Sequence, residues 1–544
     1  MNDTEQYGRF VGSGASGGER TTDQENAVEV SHINPSILRL PPELLETIFI
    51  NSVPAKTSAY SVPSKALAEW LAITHVCRHW RTIALNQKAL WTRPDFGLPR
   101  LASEMLERSK PRLLNIEFTD RGTTRRRVQV LKKALTSYAS RIESLCIEFG
   151  YTRTTPLLEK AFESFTGPAP NLHTLKLFAF AWDRLPDGVL LRGAPSLRVL
   201  ELCDYHIPPD SSLLHNLTSL SWYGNGSTAA MLTAEQLLNI LQKSPSLESF
   251  AVQGVLPPAM PNAVVSLPCL RDLSLDSREP REANVSLDFC NHIIFSEKTT
   301  LNLFVPYTTY TPSLANATRS FFSRWFHPSS SATNPRLVKV IRFEGERNDF
   351  MFMGWYDSPS LSEFRTLGDT DLGEVPVYTH FEYDSEDLPP YSDLMTIVVE
   401  TVPFTILETL DIRLFPHQSA VKVLLRSACW LATLRDIFVS GDSIDELVAV
   451  FCSGISSDAA ASSEASNFPF PALETLTLTF LNHNQLDGIP DMQALVDALA
   501  LRPRRLRKLF LRNCHGLPAR YIELLRDVVE EVDCESRINL LDDW

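Results

Sequence analysis

The chain has 544 residues, 44% of them hydrophobic and 21% charged, an ordinary globular composition long enough for several domains or one extended repeat array. A general polyanion binder should be basic, so the formal net charge of −14 argues against nucleic acid or an acidic membrane as the main partner. No apolar run approaches the ~18–20 residues of a spanning helix, which argues against an integral membrane protein.

The start, MNDTEQYGRF, is polar and has no basic region followed by an apolar core, so it is not read as a signal peptide. Nine cysteines are scattered at positions 77, 146, 203, 269, 290, 429, 452, 514 and 534, with no CxxC pair. Buried reduced thiols in a cytoplasmic or nuclear protein are expected from that usage. The N-x-S/T triplets at Asn2, Asn216, Asn225, Asn284 and Asn316 carry no weight without secretion.

Residues 1–31 are rich in Gly, Ser, Thr and acids (VGSGASGGERTTDQEN) and read as a disordered tail. An apolar helical block follows over 32–96. Pro41 and Pro42 suit a first helical turn, Glu43 suits the positive end of the helix dipole, and Leu44, Leu45, Ile48 and Phe49 form an apolar stripe. VPAKTSAYSVPS (53–64) reads as a loop. A second helix carries Leu67, Trp70 and Leu71, and a third carries Ile73, Val76, Cys77, Trp80, Ile83 and Ala84 before Leu90 and Trp91 close the block. Three short helices cannot bury that many apolar side chains by themselves, so a partner should cover some of them.

From about residue 110 a phrase recurs: apolar, two residues, apolar, one residue, apolar. It reads LLNIEF (113–118), IESLCI (142–147), LHTLKL (172–177), LRVLEL (197–202), LTSLSW (217–222), LESFAV (247–252) and LRDLSL (270–275). It continues as VKVIRF (338–343), LETLDI (407–412), LRDIFV (434–439), LETLTL (473–478) and LRKLFL (506–511), with KTTLNL (298–303) a weaker copy. The spacing, mostly 20–40 residues, is that of leucine-rich repeats, in which each unit exposes an apolar face until its neighbour covers it. AEQLLNILQKSPS (234–246) and MQALVDALALRP (492–503) look like convex-side helices, ended by prolines such as Pro245 and Pro503. The expected architecture is therefore a small all-α domain at 32–96 and an α/β leucine-rich-repeat solenoid, a horseshoe, at 97–544. Inserted loops are expected at about 345–400 and at 452–467. The acidic stretch 367–393 is read as a solvated loop within the first of these. An α/β sandwich or doubly wound sheet with alternating strands and helices is the alternative architecture.

Little catalytic chemistry is legible. No P-loop, GxGxxG, GxSxG or HExxH is present, and no cofactor or metal is expected. His75 and His79 lie one helical turn apart but have no further ligands at a matching spacing; Cys290 with His292 and Cys514 with His515 are chance neighbours. The basic phrases RRR (125–127) and RPRRLRK (502–508) read as solvated rim, the second also as a weaker nuclear-import candidate.

The block at 36–96 resembles the F-box, the short domain that ties substrate receptors to SCF-type ubiquitin ligases. The resemblance rests on LRLPPELLETIF (38–49), VCRHWRTIA (76–84) and ALW (89–91). The double-proline start and the Leu-Trp ending look like the fungal F-box proteins with irregular leucine-rich repeats. Two features depart from that pattern. The connection between Phe49 and Val76 is long, and the repeats lack the asparagine or cysteine that usually follows the strand, except Cys514. The resemblance implies that Leu40, Pro41, Pro42, Leu44, Leu45, Ile48, Phe49, Val76, Cys77, Trp80, Ile83, Leu90 and Trp91 divide between the F-box core and the groove of an SKP-type adaptor. It further implies a non-catalytic substrate-recognition subunit, linked through the adaptor to a cullin ubiquitin ligase, with the repeats holding a target protein. Two other readings stand beside it: a scaffold in a non-degradative adaptor complex, and an α/β enzyme with a coincidental helical block. Lys176, Glu201 and Arg271, beside the repeat strands, are read as facing solvent rather than a ligand.

Overall fold

The structure is a computed structural model that describes residues 40–53, 71–120, 124–150, 155–185, 188–190, 193–224, 232–254, 256–257, 263–277, 283–296, 298–308, 311–327, 336–345, 349–357, 375–383, 391–413, 418–441, 443–453, 468–479, 492–513 and 517–534. The tail at 1–31, the sites of Leu67 and Trp70, most of the acidic stretch 367–393, residues 454–467 and the Cys514–His515 pair lie outside the described residues. The chain divides into two units, Met1–Gln87 and Lys88–Trp544.

The described part of the first unit contains helices α1 (Pro42–Ser52), α2 (Ile73–Val76) and α3 (Arg78–Asn86). Pro41 stands at the N-cap of α1 with Pro42 next to it, where a missing N–H is harmless, and the Pro41 carbonyl accepts from the Leu44 and Leu45 amides. The helix expected through 73–84 is two helices. Cys77 is extended (φ −157°, ψ 170°), and its thiol accepts the Trp80 amide at 3.4 Å, capping α3. That break separates Val76 from the stripe formed by Trp80 and Ile83.

The second unit is built on strands β1 (Leu114–Thr119), β2 (Ile142–Glu148), β3 (Thr174–Arg184), β4 (Val199–His206), β5 (Ser219–Tyr223) and β6 (Ser249–Gln253). Next come β7 (Val265–Leu267), β8 (Asp272–Asp276), β9 (Ile293–Phe295), β10 (Thr300–Thr308), β11 (Val340–Glu344) and β12 (Asp349–Trp355). The last are β13 (Val377–Tyr383), β14 (Thr409–Arg413), β15 (Asp436–Ser440), β16 (Thr475–Thr479), β17 (Leu506–Arg512) and β18 (Val529–Cys534). Sixteen of them form one sheet in the order β1-β2-β3-β4-β5-β6-β8-β10-β13-β12-β11-β14-β15-β16-β17-β18, while β7 and β9 pair separately. Every copy of the repeated phrase, KTTLNL included, overlaps one of these strands.

Period-two alternation sends one set of side chains to a single core. Leu175 and Leu177, Leu200 and Leu202, Leu476 and Leu478 all join the cluster that also holds the buried faces of the helices. Helices such as Ala234–Gln242, Gln418–Ala428 and Met492–Ala500 pack on that side. The opposite face of the sheet receives no buried side chain from any described helix of this unit.

Neighbouring repeats are tied at the turns that precede their strands. Asn171 donates to the Ser140 carbonyl (2.7 Å), Thr299 to Leu270 (2.8 Å), and Arg141 to Arg112. Ser244 accepts the Leu217 amide at 3.2 Å. Arg502, buried, donates to the carbonyls of Pro469, Phe470 and Leu473. The bonds to Leu270 and those from Arg502 lie in buried turns, where backbone polar groups need partners. They take the role expected of the missing asparagine, at the other end of the strand.

The repeat solenoid expected from the sequence is corrected in the middle of the sheet. β12 runs antiparallel to both β11 and β13, and the order of the three is reversed between β10 and β14. A solenoid needs each unit to add in parallel to the one before, and here two strands close a meander instead. What stands is an α/β region on one large sheet. Residues 345–400, expected as an inserted loop, hold β12, β13 and the helix Tyr391–Thr401. The alternations F-M-F-M (350–353) and V-Y-T-H-F-E-Y (377–383) carry those strands.

Candidate functional site

In the first unit α1 has two apolar faces. Leu45 and Phe49, one turn apart, are fully buried, and the Phe49 ring meets Trp80 at 5.0 Å between centroids. Ile83 and Ala84 of α3 are buried too, and Gln87 donates to Glu46 at 2.7 Å across the helix pair. Leu44 and Ile48, also one turn apart, point elsewhere: they are 51% and 43% exposed. Pro41 and Pro42 are exposed at the start of the helix, as are Ile50 and Val76. Leu40, Cys77 and Trp80 are half-buried.

The structure therefore sorts the candidate residues by burial. Leu45, Phe49 and Ile83 are core, while Pro41, Pro42, Leu44, Ile48 and Val76 are solvent-facing. Leu90 and Trp91 lie in a 3-10 turn, Lys88–Trp91, of the second unit; both are buried, with the Arg108 guanidinium 5.5 Å from the Trp91 ring. Ile50 escaped the sequence reading because it falls off the i, i+3, i+4 stripe, and only its exposure marks it.

The other sequence candidates are held by the fold. Lys176 and Glu201 pair with each other at 2.5 Å on the helix-free face of the sheet. Arg271 is exposed 4.0 Å from Glu248. In RPRRLRK, Arg502 and Leu506 are buried and Lys508 pairs with Glu531, so the phrase is not a free basic strip. Burial pushes the Arg502 guanidinium down to about 10. It also pushes the Cys290 thiol up and the Cys146 thiol up to about 12, so neither is a ready nucleophile. His75 and His79 are exposed, and no group of three or more metal-ligating side chains occurs among the described residues.

One buried charge cluster stands on the helix-free face. Asp411 Oδ2 accepts from Arg342 at 2.8 Å and from Arg413 at 2.9 Å, with Arg342 also 5.8 Å from the Trp355 ring. Arg342 and Asp411 are directly opposite in the β11–β14 pairing. Burial raises the Asp411 carboxyl, and the two guanidiniums beside it oppose that shift. Nothing in this arrangement resembles an acid–base pair poised on a cleft; it locks the sheet where the order of the strands changes.

A family model described as F-box-like matches residues 37–97. A comparison with curated proteins finds no match. The chain thus carries an F-box-like domain whose match takes in α1 to α3 and extends past Gln87 into the second unit. F-box domains generally bind SKP-type adaptors, and the domain suggests an adaptor-type role in ubiquitin ligation.

Proposed function

We propose that the chain is the substrate-recognition subunit of an SCF-type ubiquitin ligase, docking on an SKP-type adaptor through its first unit and holding a target protein on its second. The observation that carries this is the second apolar face of α1. Leu44 and Ile48 remain at the surface beside Pro41 although Leu45 and Phe49 already fill the core. A helix laid into a groove needs anchors at this spacing. Each Leu or Ile fully buried there would contribute roughly 1.5–3 kcal/mol before ordering costs. Pro41 and Pro42 lower those costs by fixing the start of the helix.

The role is non-catalytic. The adaptor and, through it, a cullin bring a charged conjugating enzyme near a target held by the second unit, raising the effective concentration of a target lysine. The parallel runs β1 to β6 with β8, and β14 to β17, one repeated phrase per strand, support kinship of those units with leucine-rich repeats. A cytoplasmic or nuclear location goes with the same reading, as does membership of the fungal type.

Reconstitution tests the proposal. The full chain should co-elute with a purified SKP-type adaptor and cullin as one complex on size exclusion. Elution apart from the adaptor at micromolar concentration would remove the ligase role.

A further inference from the structure

On the helix-free face, the paired positions Asp276 (β8), Phe304 (β10) and His380 (β13) lie side by side, and the row continues through Met351 (β12) to Glu344 (β11). Their chain neighbours Leu275, Leu303, Val305, Phe381, Phe350 and Phe343 all point into the core, so this row points away from it. Phe304 and His380 are 4.9 Å apart between ring centroids, and Tyr378 follows at 6.4 Å from His380. The three rings are half-buried, neither sealed in the core nor fully at solvent. Asp349 Oδ1 lies 3.6 Å from His380 Nε2. Strands 4.7–4.9 Å apart put Asp276 and Glu344 about 19 Å from each other. A patch of aromatic faces is therefore bounded by carboxylates at both ends, Asp276 accepting from Gln253 and Glu344 standing opposite Arg413, and has a third carboxylate beside it.

Resting on the target-receptor reading above, we infer that this row receives a basic segment of the target protein, an arginine or lysine side chain lying over Phe304 and Tyr378 between the carboxylates of Asp276 and Glu344. The negative face of an aromatic ring attracts a cation, more strongly where water is partly excluded, and flanking carboxylates add to the attraction. The net charge of −14 acts the same way at long range, drawing a basic partner and repelling an acidic one. The antiparallel meander that interrupts the parallel sheet is what gathers these side chains. β12 and β13 bring Asp349, Tyr378 and His380 next to Phe304.

The test uses the full chain and a short fluorescent peptide of alternating arginine and serine, with the glutamate–serine peptide as counterpart, followed by anisotropy at physiological salt. The arginine peptide should bind and the glutamate peptide should not. Asp276→Asn/Glu344→Gln should weaken binding about tenfold, and so should Phe304→Leu, which keeps the apolar volume but removes the ring. Glu523→Gln/Asp527→Asn, on the exposed side of helix Ala519–Val528, removes the same charge elsewhere and should leave binding unchanged. No binding, equal loss in the control, or an unaffected Phe304→Leu would overturn the inference. Adaptor capture measured on the same preparations reports separately. Its failure would remove the receptor role and leave the peptide result standing, while adaptor capture without peptide binding would reject only this inference.

Discussion

At the scale of single residues, neighbouring side chains of similar chemistry have opposite fates. Leu44 and Leu45 are adjacent, yet one is half exposed and the other sealed. Phe49→Ala should cost ~3–5 kcal/mol in urea unfolding of the first unit, whereas Leu44→Ala should leave that stability unchanged. At Asp411 the balance is electrostatic. Asp411→Asn leaves the Arg342 and Arg413 guanidiniums without their shared carboxylate, Arg342 fully inside the protein. Removing one partner of such a cluster costs about 3–5 kcal/mol, which a urea melt of the full chain would read as a lowered midpoint. Glu107 is a milder case. Its bond to Lys110 (2.6 Å), the Tyr138 hydroxyl and Lys133 hold its carboxyl at about 2, below the ordinary 4.5. A carboxylate depressed in this way stabilises the fold fully above the unfolded pKa, and that contribution fades as pH falls from about 4.5 to about 2. Glu107 is 46% exposed, so solvent screening limits the effect to about 1 kcal/mol or less. Glu107→Gln should therefore be slightly less stable than the wild type at pH 6, and the difference should close near pH 2.

At the scale of elements, the turn before each strand carries an order that the apolar phrase alone does not reveal. Lys339, Glu408, Arg435, Glu474 and Arg507 stand one residue ahead of the paired part of successive strands, each amide donating to the carbonyl of the one before at 2.7–3.0 Å. Their charges alternate across five strands. Each exposed pair is weak, but the alternation opposes a slip that would set like charges together. Glu474→Lys would place a third cation between Arg435 and Arg507. It should cost about 0.5–1 kcal/mol in low salt and much less in high salt; a salt-independent loss would point to packing instead. This ladder was legible in the second letter of each phrase, as were the strands themselves, because the Leu-x-x-Leu-x-Leu spacing dictates both faces. β12, β13 and β18 were not anticipated, since their alternation carries no such phrase and their pairing depends on strands distant in sequence. The split at Cys77 was equally hidden. A cysteine on a helical stripe looks like core, and its use as a cap appears only once the thiol is seen to accept the Trp80 amide.

At the scale of the whole molecule, the chain joins a small helical unit, whose core leaves a second apolar face exposed, to a large sheet with one face free of helices among the described residues. The first feature was half legible. The resemblance picked out thirteen residues, and burial was needed to decide which of them face outward. The break in the parallel sheet was not legible, because nothing in the local pattern tells a parallel strand from an antiparallel one. The central claim is that Leu44 and Ile48 form the adaptor contact. It is tested most directly by titrating a purified SKP-type adaptor by calorimetry into the wild-type chain, a Leu44→Asp/Ile48→Asp variant and a Glu523→Gln surface control. The account predicts tight binding by the wild type and the control. It predicts a loss of at least a hundredfold in the double variant, with an unchanged unfolding midpoint, since two anchors worth about 1.5 kcal/mol or more each are removed. Equal affinity in all three chains would contradict it.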